Sequence, residues 1–186
     1  LIWAMRSAAI STLGRPKVEV ARERVLQINP DCQVEALRMF AEPPHRQAIL
    51  QGPPDVLIDA IDSVGPKAGL LLDAVRAGIP LIIACMGAAE RLDATAVRVG
   101  DLFATKECPL ARFMRRRLRR AGVHEGIRCV YSVEPVRSRP KQDRQRGADL
   151  PHEQDVERRG RLRRVLGSLP TVPGRFGLLA AHEAIR

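Results

Sequence analysis

With 186 residues, 45% of them hydrophobic, the chain is long enough to bury one substantial core, and a single domain is expected over residues 1–186. Aromatic residues make up only 3%, so Val, Leu, Ile and Ala must build that core, and no apolar run approaches the ~20 residues of a membrane-spanning helix. Lys plus Arg total 31 against 21 Asp plus Glu, and this formal charge of +10 is mostly arginine, which suits a polyanion such as RNA, an anionic membrane surface, or merely a solvated exterior.

The four cysteines, Cys32, Cys85, Cys108 and Cys129, form no CxxC pair, which argues against an all-cysteine zinc site. Cys85 and Cys129 sit inside apolar runs and read as small core residues. No signal-peptide pattern opens the sequence, and a reducing cytoplasmic setting is expected. The first residue is Leu1 rather than Met, so a fragment of a longer chain is expected.

In chain order, residues 16–28 (PKVEVARERVLQI) place Val18, Ala21, Val25 and Ile28 on one helical stripe, with Pro16 suited to a first turn. Asn29-Pro30 ends that helix. CQVEALRMF is expected to be a strand, and PDVLIDAID (54–62) a stronger one, with the near-continuous apolar run of a buried parallel strand. Ser63 can cap a helix entered through Pro66 and running to Gly78, after which PLIIACM (80–86) gives another buried strand. Strand, helix and strand with short connections form a βαβ unit of a doubly wound α/β sheet.

Beyond residue 90, ATAVRVGDL suggests a short strand and PLARFMRRRLRRAG a basic helix, with Leu110, Phe113, Met114 and Leu118 on one face. IRCVYSVEP (127–135) is a strand. Residues 136–160 carry charge and Gly/Pro without apolar periodicity and read as a mobile loop, and VPGRFGLLAAHEAI is a closing helix.

The chemistry-bearing signals are few. There is no GxGxxG, Walker motif, HExxH or nucleophile elbow. Asp62 and Ser63 end the strand DVLIDAID, and ligands of open parallel sheets bind beyond the carboxyl ends of strands. A carboxylate there can hold Mg²⁺ against a phosphate, or can merely start the next helix. Lys17, at a helix start, can contact phosphate or remain a surface lysine. The four histidines share no spacing with carboxylates or cysteines.

GRPKVEVARERVLQINPDCQVEAL, followed by DVLIDAIDSVGPKAGLLLDAVRAGIPLI, resembles the ThiF/MoeB group of the ubiquitin-activating-enzyme-like superfamily. That group includes sulfur-carrier adenylyltransferases and tRNA threonylcarbamoyladenosine dehydratases, and pairs a GxPK segment with an Asp at the end of a later strand. MGAAERLDATAVRVGDLFAT, CPLARFMRRRLRRAG, CVYSVEP and GSLPTVPGRFGLLAAHEAI are similar to the dehydratase branch. The resemblance implies a Rossmann-like doubly wound fold that binds ATP with Mg²⁺ and activates the carboxylate of threonylcarbamoyladenosine at position 37 of tRNA for cyclisation. By position, it implies that Lys17 contacts ATP phosphates, that Asp62 is the essential residue holding nucleotide and Mg²⁺, and that Ser63 lies in the same nucleotide-binding turn. It further implies a homodimer and an association with a cysteine-desulfurase system. By charge alone, the arginine helix can contact a tRNA backbone or can simply be a solvated amphipathic helix.

The departures are as specific. The family's glycine-rich phosphate loop and first βαβ segment would precede Leu1, so impaired activity is expected of this chain alone. Ala94 and Cys108 stand where the branch usually has Pro and Asp, and Ala89-Glu90 replace a Gly-Gly pair. A sulfur-carrier adenylyltransferase and a non-catalytic scaffold are the competing readings; the missing CxxC pair and the basic helix count against the first of them.

Overall fold

The computed structural model describes residues 10–135 and 167–186. The loop expected at 136–160 lies outside the described residues. Four strands form one sheet in the order β1-β2-β4-β3. β1 (Val56–Asp59), β2 (Leu81–Cys85) and β4 (Arg128–Ser132) run parallel, and β3 (Val97–Asp101) is antiparallel to β4. Helices α3 (Val64–Arg76) and α4 (Pro109–Arg120) cover one face, and α5 (Thr171–Ile185) covers the other. The α/β sheet with helices on both faces agrees with the expected fold class.

The period-two geometry of a strand explains how one apolar run serves two cores. Along β2, Ile82 and Ala84 point toward α3 and α4, where they meet buried Leu71, Met114 and Leu118. Ile83 and Cys85 point the other way, toward Val172 and Phe176 of α5. Each large apolar side chain so enclosed contributes roughly 1.5–3 kcal/mol. Glu183 of α5 adds an ion pair to Arg128 of β4 at 2.5 Å.

Helices α3 and α4 stop in the same way. Gly78 and Gly122 take φ of 69° and 83°, a left-handed conformation that glycine adopts without a Cβ clash. The N–H of Gly78 bonds Val75 O, and that of Ile79 bonds Ala74 O; Gly122 and Val123 repeat the pattern on Arg119 O and Leu118 O. These paired bonds close a Schellman motif, and the apolar residue after each glycine, Ile79 or Val123, is buried as that motif favours.

Two expectations need correction. CQVEALRMF forms no strand: Val34 and Leu37 lie in a hollow against Val18, Ala21 and Val25 of α1 (Lys17–Ile28). Its alternating apolar residues are satisfied by that helix, and no described strand pairs with the segment. On α4, the inward stripe is Ala111, Met114 and Leu118, while Phe113 sits at the rim beneath Arg116, 5.6 Å from ring centroid to guanidinium. Ala111, with less apolar area than Phe, takes the close-packed position that periodicity alone assigned to the larger residue.

A short α2 (His45–Ile49) precedes β1. β1 is an outer strand of the sheet, and its Ile58 stays 46% exposed. No helix among the described residues is long and apolar enough to cross a membrane.

Candidate active site

The C-terminal ends of β1 and β2 open into a cleft of about 320 Å³. Its walls include Ile61, Met86 and Leu110, and its polar groups include Asp62, Glu90 and Arg91. This is the edge at which parallel sheets bind ligands, because strand ends and the N-termini of following helices converge there. Asp62 stands in the connection between β1 and α3 and is exposed to solvent.

Below that connection lies a buried ionic anchor. Leu57 and Asp59 share one side of β1, so Asp59 faces α3 rather than the cleft. Lys67 reaches it from the first turn of α3, with Nζ 2.7 Å from Asp59 Oδ2 and both side chains fully closed to solvent. The same Nζ donates to Cys85 O at 2.8 Å, and the Ile61 N–H donates to Asp59 Oδ1 at 2.9 Å. Asp59 Oδ2 has no hydrogen bond of good geometry and is held by charge attraction. Burial raises the Asp59 carboxyl above its ordinary value despite the opposing pull of Lys67. One lysine thus ties α3 to the ends of both strands that bear the cleft.

The second wall is the segment after β2. Glu90 takes a left-handed φ of 59°, and its N–H donates to Gly167 O at 2.9 Å. Glu134 accepts from Leu92 N and Asp93 N, each at 3.0 Å through Oε2. Arg91 is therefore pinned on both sides. It lines the cleft at 2% exposure, and its Nη1 has no hydrogen-bond partner. Cys85 and Cys108 complete the buried floor, and burial pushes the Cys85 thiol up to about 11, away from thiolate chemistry at neutral pH.

The family profile of the ThiF family matches residues 6–186. The chain belongs to the ThiF family. It is 34% identical over 183 residues to tRNA threonylcarbamoyladenosine dehydratase 2 of Saccharomyces cerevisiae, covering 92% of this chain and 39% of that protein. It is 35% identical over 127 residues to the Bacillus subtilis tRNA threonylcarbamoyladenosine dehydratase, covering 68% of this chain and 50% of that one. The solved ATP complex of the Escherichia coli enzyme TcdA superposes with a TM-score of 0.77 at 31% identity, over 96% of this chain and 66% of that one. The chain thus spans about half the length, or less, of these two sequence relatives.

Of the residues singled out in the sequence, the ThiF-type fold brings Asp62 to the cleft. Ser63 occupies the N-cap of α3 and its carbonyl accepts from Lys67 N at 3.0 Å. Lys17 is the exposed first residue of α1 and is not among the residues lining the cleft. Sequence reading missed Asp59, Lys67 and Arg91. A signal existed for Lys67, which interrupts the apolar stripe of α3, and for Asp59, whose parity matches Leu57. Nothing local marked Arg91 as buried.

A separate basic hollow of about 460 Å³ lies between α3 and α4, lined by Arg46, Arg116, Arg117 and Arg120 with Phe113. Arg46 is neutralised by Asp73 at 2.6 Å, and Arg116, Arg117 and Arg120 are exposed.

Proposed function

We propose that this chain is the nucleotide-binding portion of an ATP-dependent tRNA threonylcarbamoyladenosine dehydratase. The observation that carries the reading is the match of 96% of the chain to a solved dehydratase holding ATP, combined with a cleft at the carboxyl ends of β1 and β2. The cleft falls within the roughly 300–1,000 Å³ range of small-molecule sites, and its mainly apolar walls can exclude water from an activated intermediate.

Asp62 lines this cleft, is exposed to solvent and would hold the nucleotide through Mg²⁺. No group of three potential metal ligands exists among the described residues. Mg²⁺ commonly uses one or two carboxylates and completes its shell with phosphate oxygens and water, so a single protein carboxylate is enough for this role. When bound, the ion offsets charge on the phosphates as the α-phosphorus is attacked. Ser63 serves the same nucleotide within the turn that starts α3, and Lys17, which does not line the cleft, serves it from the start of α1 only where the phosphates extend beyond the cleft.

In the reaction, a substrate carboxylate oxygen forms a bond to the α-phosphorus and pyrophosphate leaves. An internal nucleophile then attacks the activated carbonyl carbon and AMP departs with the former carboxylate oxygen. The ring closes, a proton passes to solvent, and the net change in the nucleoside is loss of one water. The exposed arginines of α4 suit contacts to tRNA phosphates, which position an RNA without reading its bases. A homodimer and supply or regulation by a cysteine desulfurase in the cytoplasm belong to the same proposal.

The test is incubation with ATP, Mg²⁺ and tRNA bearing threonylcarbamoyladenosine, followed by nucleoside mass spectrometry. Loss of one water, abolished by Asp62→Ala, supports the reading. Unchanged tRNA together with adenylylation of a small protein ending in Gly-Gly would replace it with sulfur-carrier activation.

A further inference from the structure

We propose that Arg91 is an anion-receiving residue of the cleft, taking a phosphate or carboxylate oxygen of the molecule that enters it. The proposal rests on the reading of this cleft as the substrate site.

Three observations converge on Arg91. First, its side chain is 2% exposed, yet Nη1 is without a hydrogen-bond partner and the guanidinium joins none of the ion pairs among the described residues. An arginine is always charged, and a buried charge without a partner is strongly unfavourable. A fold retains such a group where a ligand supplies the missing anion. Second, the residue lines a cavity large enough to admit that ligand. Third, its backbone is held from both sides by remote parts of the chain, through Glu90 N to Gly167 O and Leu92 N to Glu134. The side chain is thus pre-placed, so little ordering entropy is lost when the anion arrives.

The planar guanidinium offers two parallel N–H donors that match a carboxylate or phosphate edge. Asp62 and Glu90 line the same cleft and carry the opposite charge. A cation held at Asp62 would bridge one oxyanion, while Arg91 would take another directly. Two groups in the proposed reaction have the required chemistry: the nucleotide phosphates and the carboxylate that is activated.

The experiment compares the full chain with its Arg91→Met and Arg91→Lys variants. Thermal melting is followed with no addition, with sodium pyrophosphate, and with N-carbamoylthreonine as the carboxylate probe, all at constant ionic strength. ATP and adenosine affinities are measured by calorimetry. Without ligand, Arg91→Met is expected to melt higher than the parent, because an uncompensated buried charge is gone. At least one oxyanion probe is expected to stabilise the parent and to lose that effect in Arg91→Met, with partial retention in Arg91→Lys.

If phosphate is the natural partner, ATP affinity falls about tenfold or more while adenosine affinity is unchanged. If the carboxylate is the partner, ATP affinity holds and only the N-carbamoylthreonine effect is lost. Equal responses of parent and variants to every probe, or no response of the parent to either oxyanion, overturn the proposal. A parent that ignores ATP and adenosine but loses its oxyanion response on Arg91→Met retains Arg91 as an anion site and removes the nucleotide reading instead. Should Arg91→Met fail to fold, Arg91→Lys carries the comparison, since it keeps the charge and removes the fork.

Discussion

Lys67 Nζ lies 2.7 Å from Asp59 Oδ2 with neither side chain reaching solvent, and this pair joins α3 to the end of β1 three residues before Asp62. Removing either partner leaves the other as a lone buried charge. Asp59→Asn or Lys67→Met is expected to cost about 3–5 kcal/mol of stability. The double variant is expected to cost much less than the sum, because it removes both charges together. Denaturant titration of the four proteins checks this, and strict additivity would mean that the two groups do not interact.

The buried thiols give the fold an alkaline limit. Burial pushes Cys85 up to about 11 and Cys129 up to about 12. A thiol with a raised folded value holds its proton more firmly when folded. Its contribution is complete below the unfolded value of about 8.5 and is lost as pH rises through the folded value. Stability is therefore expected to fall progressively above pH ~9. Near pH 8, iodoacetamide is expected to modify partly exposed Cys32, leaving Cys85, Cys108 and Cys129 protected until denaturant is added. Peptide mass spectrometry reads the order, and native-state labelling of Cys129 would contradict it.

Glu90 carries a Cβ at a φ of 59°, where glycine is preferred. Left-handed strain costs roughly 1–2 kcal/mol, against the about 0.5–1 kcal/mol of chain entropy that glycine forfeits. Glu90→Gly is expected to raise the melting temperature by a net gain of about 0.5–1 kcal/mol. Glu90→Ala keeps the strain and is expected to show no gain, which separates the backbone effect from loss of the side chain.

Gly69 of α3 leaves room for Arg46. A Cβ at that position would lie 2.7 Å from the Arg46 guanidinium carbon, so Gly69→Ala must displace the side chain that pairs with Asp73. The pair is partly screened, so a loss of about 1 kcal/mol is expected, less the helix propensity gained by alanine. In a double variant with Arg46→Ala the cost of Gly69→Ala disappears, and chemical denaturation is the readout.

Elements whose apolar run or stripe is complete in itself were legible in the sequence. β1, β2, α3, α4 and α5 each announce their type through local spacing. CQVEALRMF was not, because alternation of Val34 and Ala36 states only that one side is apolar. Whether a strand or a helix covers that side depends on the neighbour, and here the neighbour is α1. Asp62 stood out by its place after the apolar run, whereas Asp59 was concealed within it. Arg91 lay beyond local reasoning altogether, since its enclosure depends on Gly167 and Glu134, which are remote in sequence.

The Schellman closures at Gly78 and Gly122 lie at the ends of α3 and α4 opposite to those that meet the cleft, where Asp62 precedes one helix and Pro109 opens the other. Each helix thus separates its two duties along its own axis. Divergence can proceed at the glycine-capped rim, trading durability against loop length, while the geometry met by an incoming substrate stays untouched. Variants isolated for heat tolerance should gather at that rim, and variants with altered substrate preference should gather about 18–20 Å away, a helix length of 12 to 13 residues.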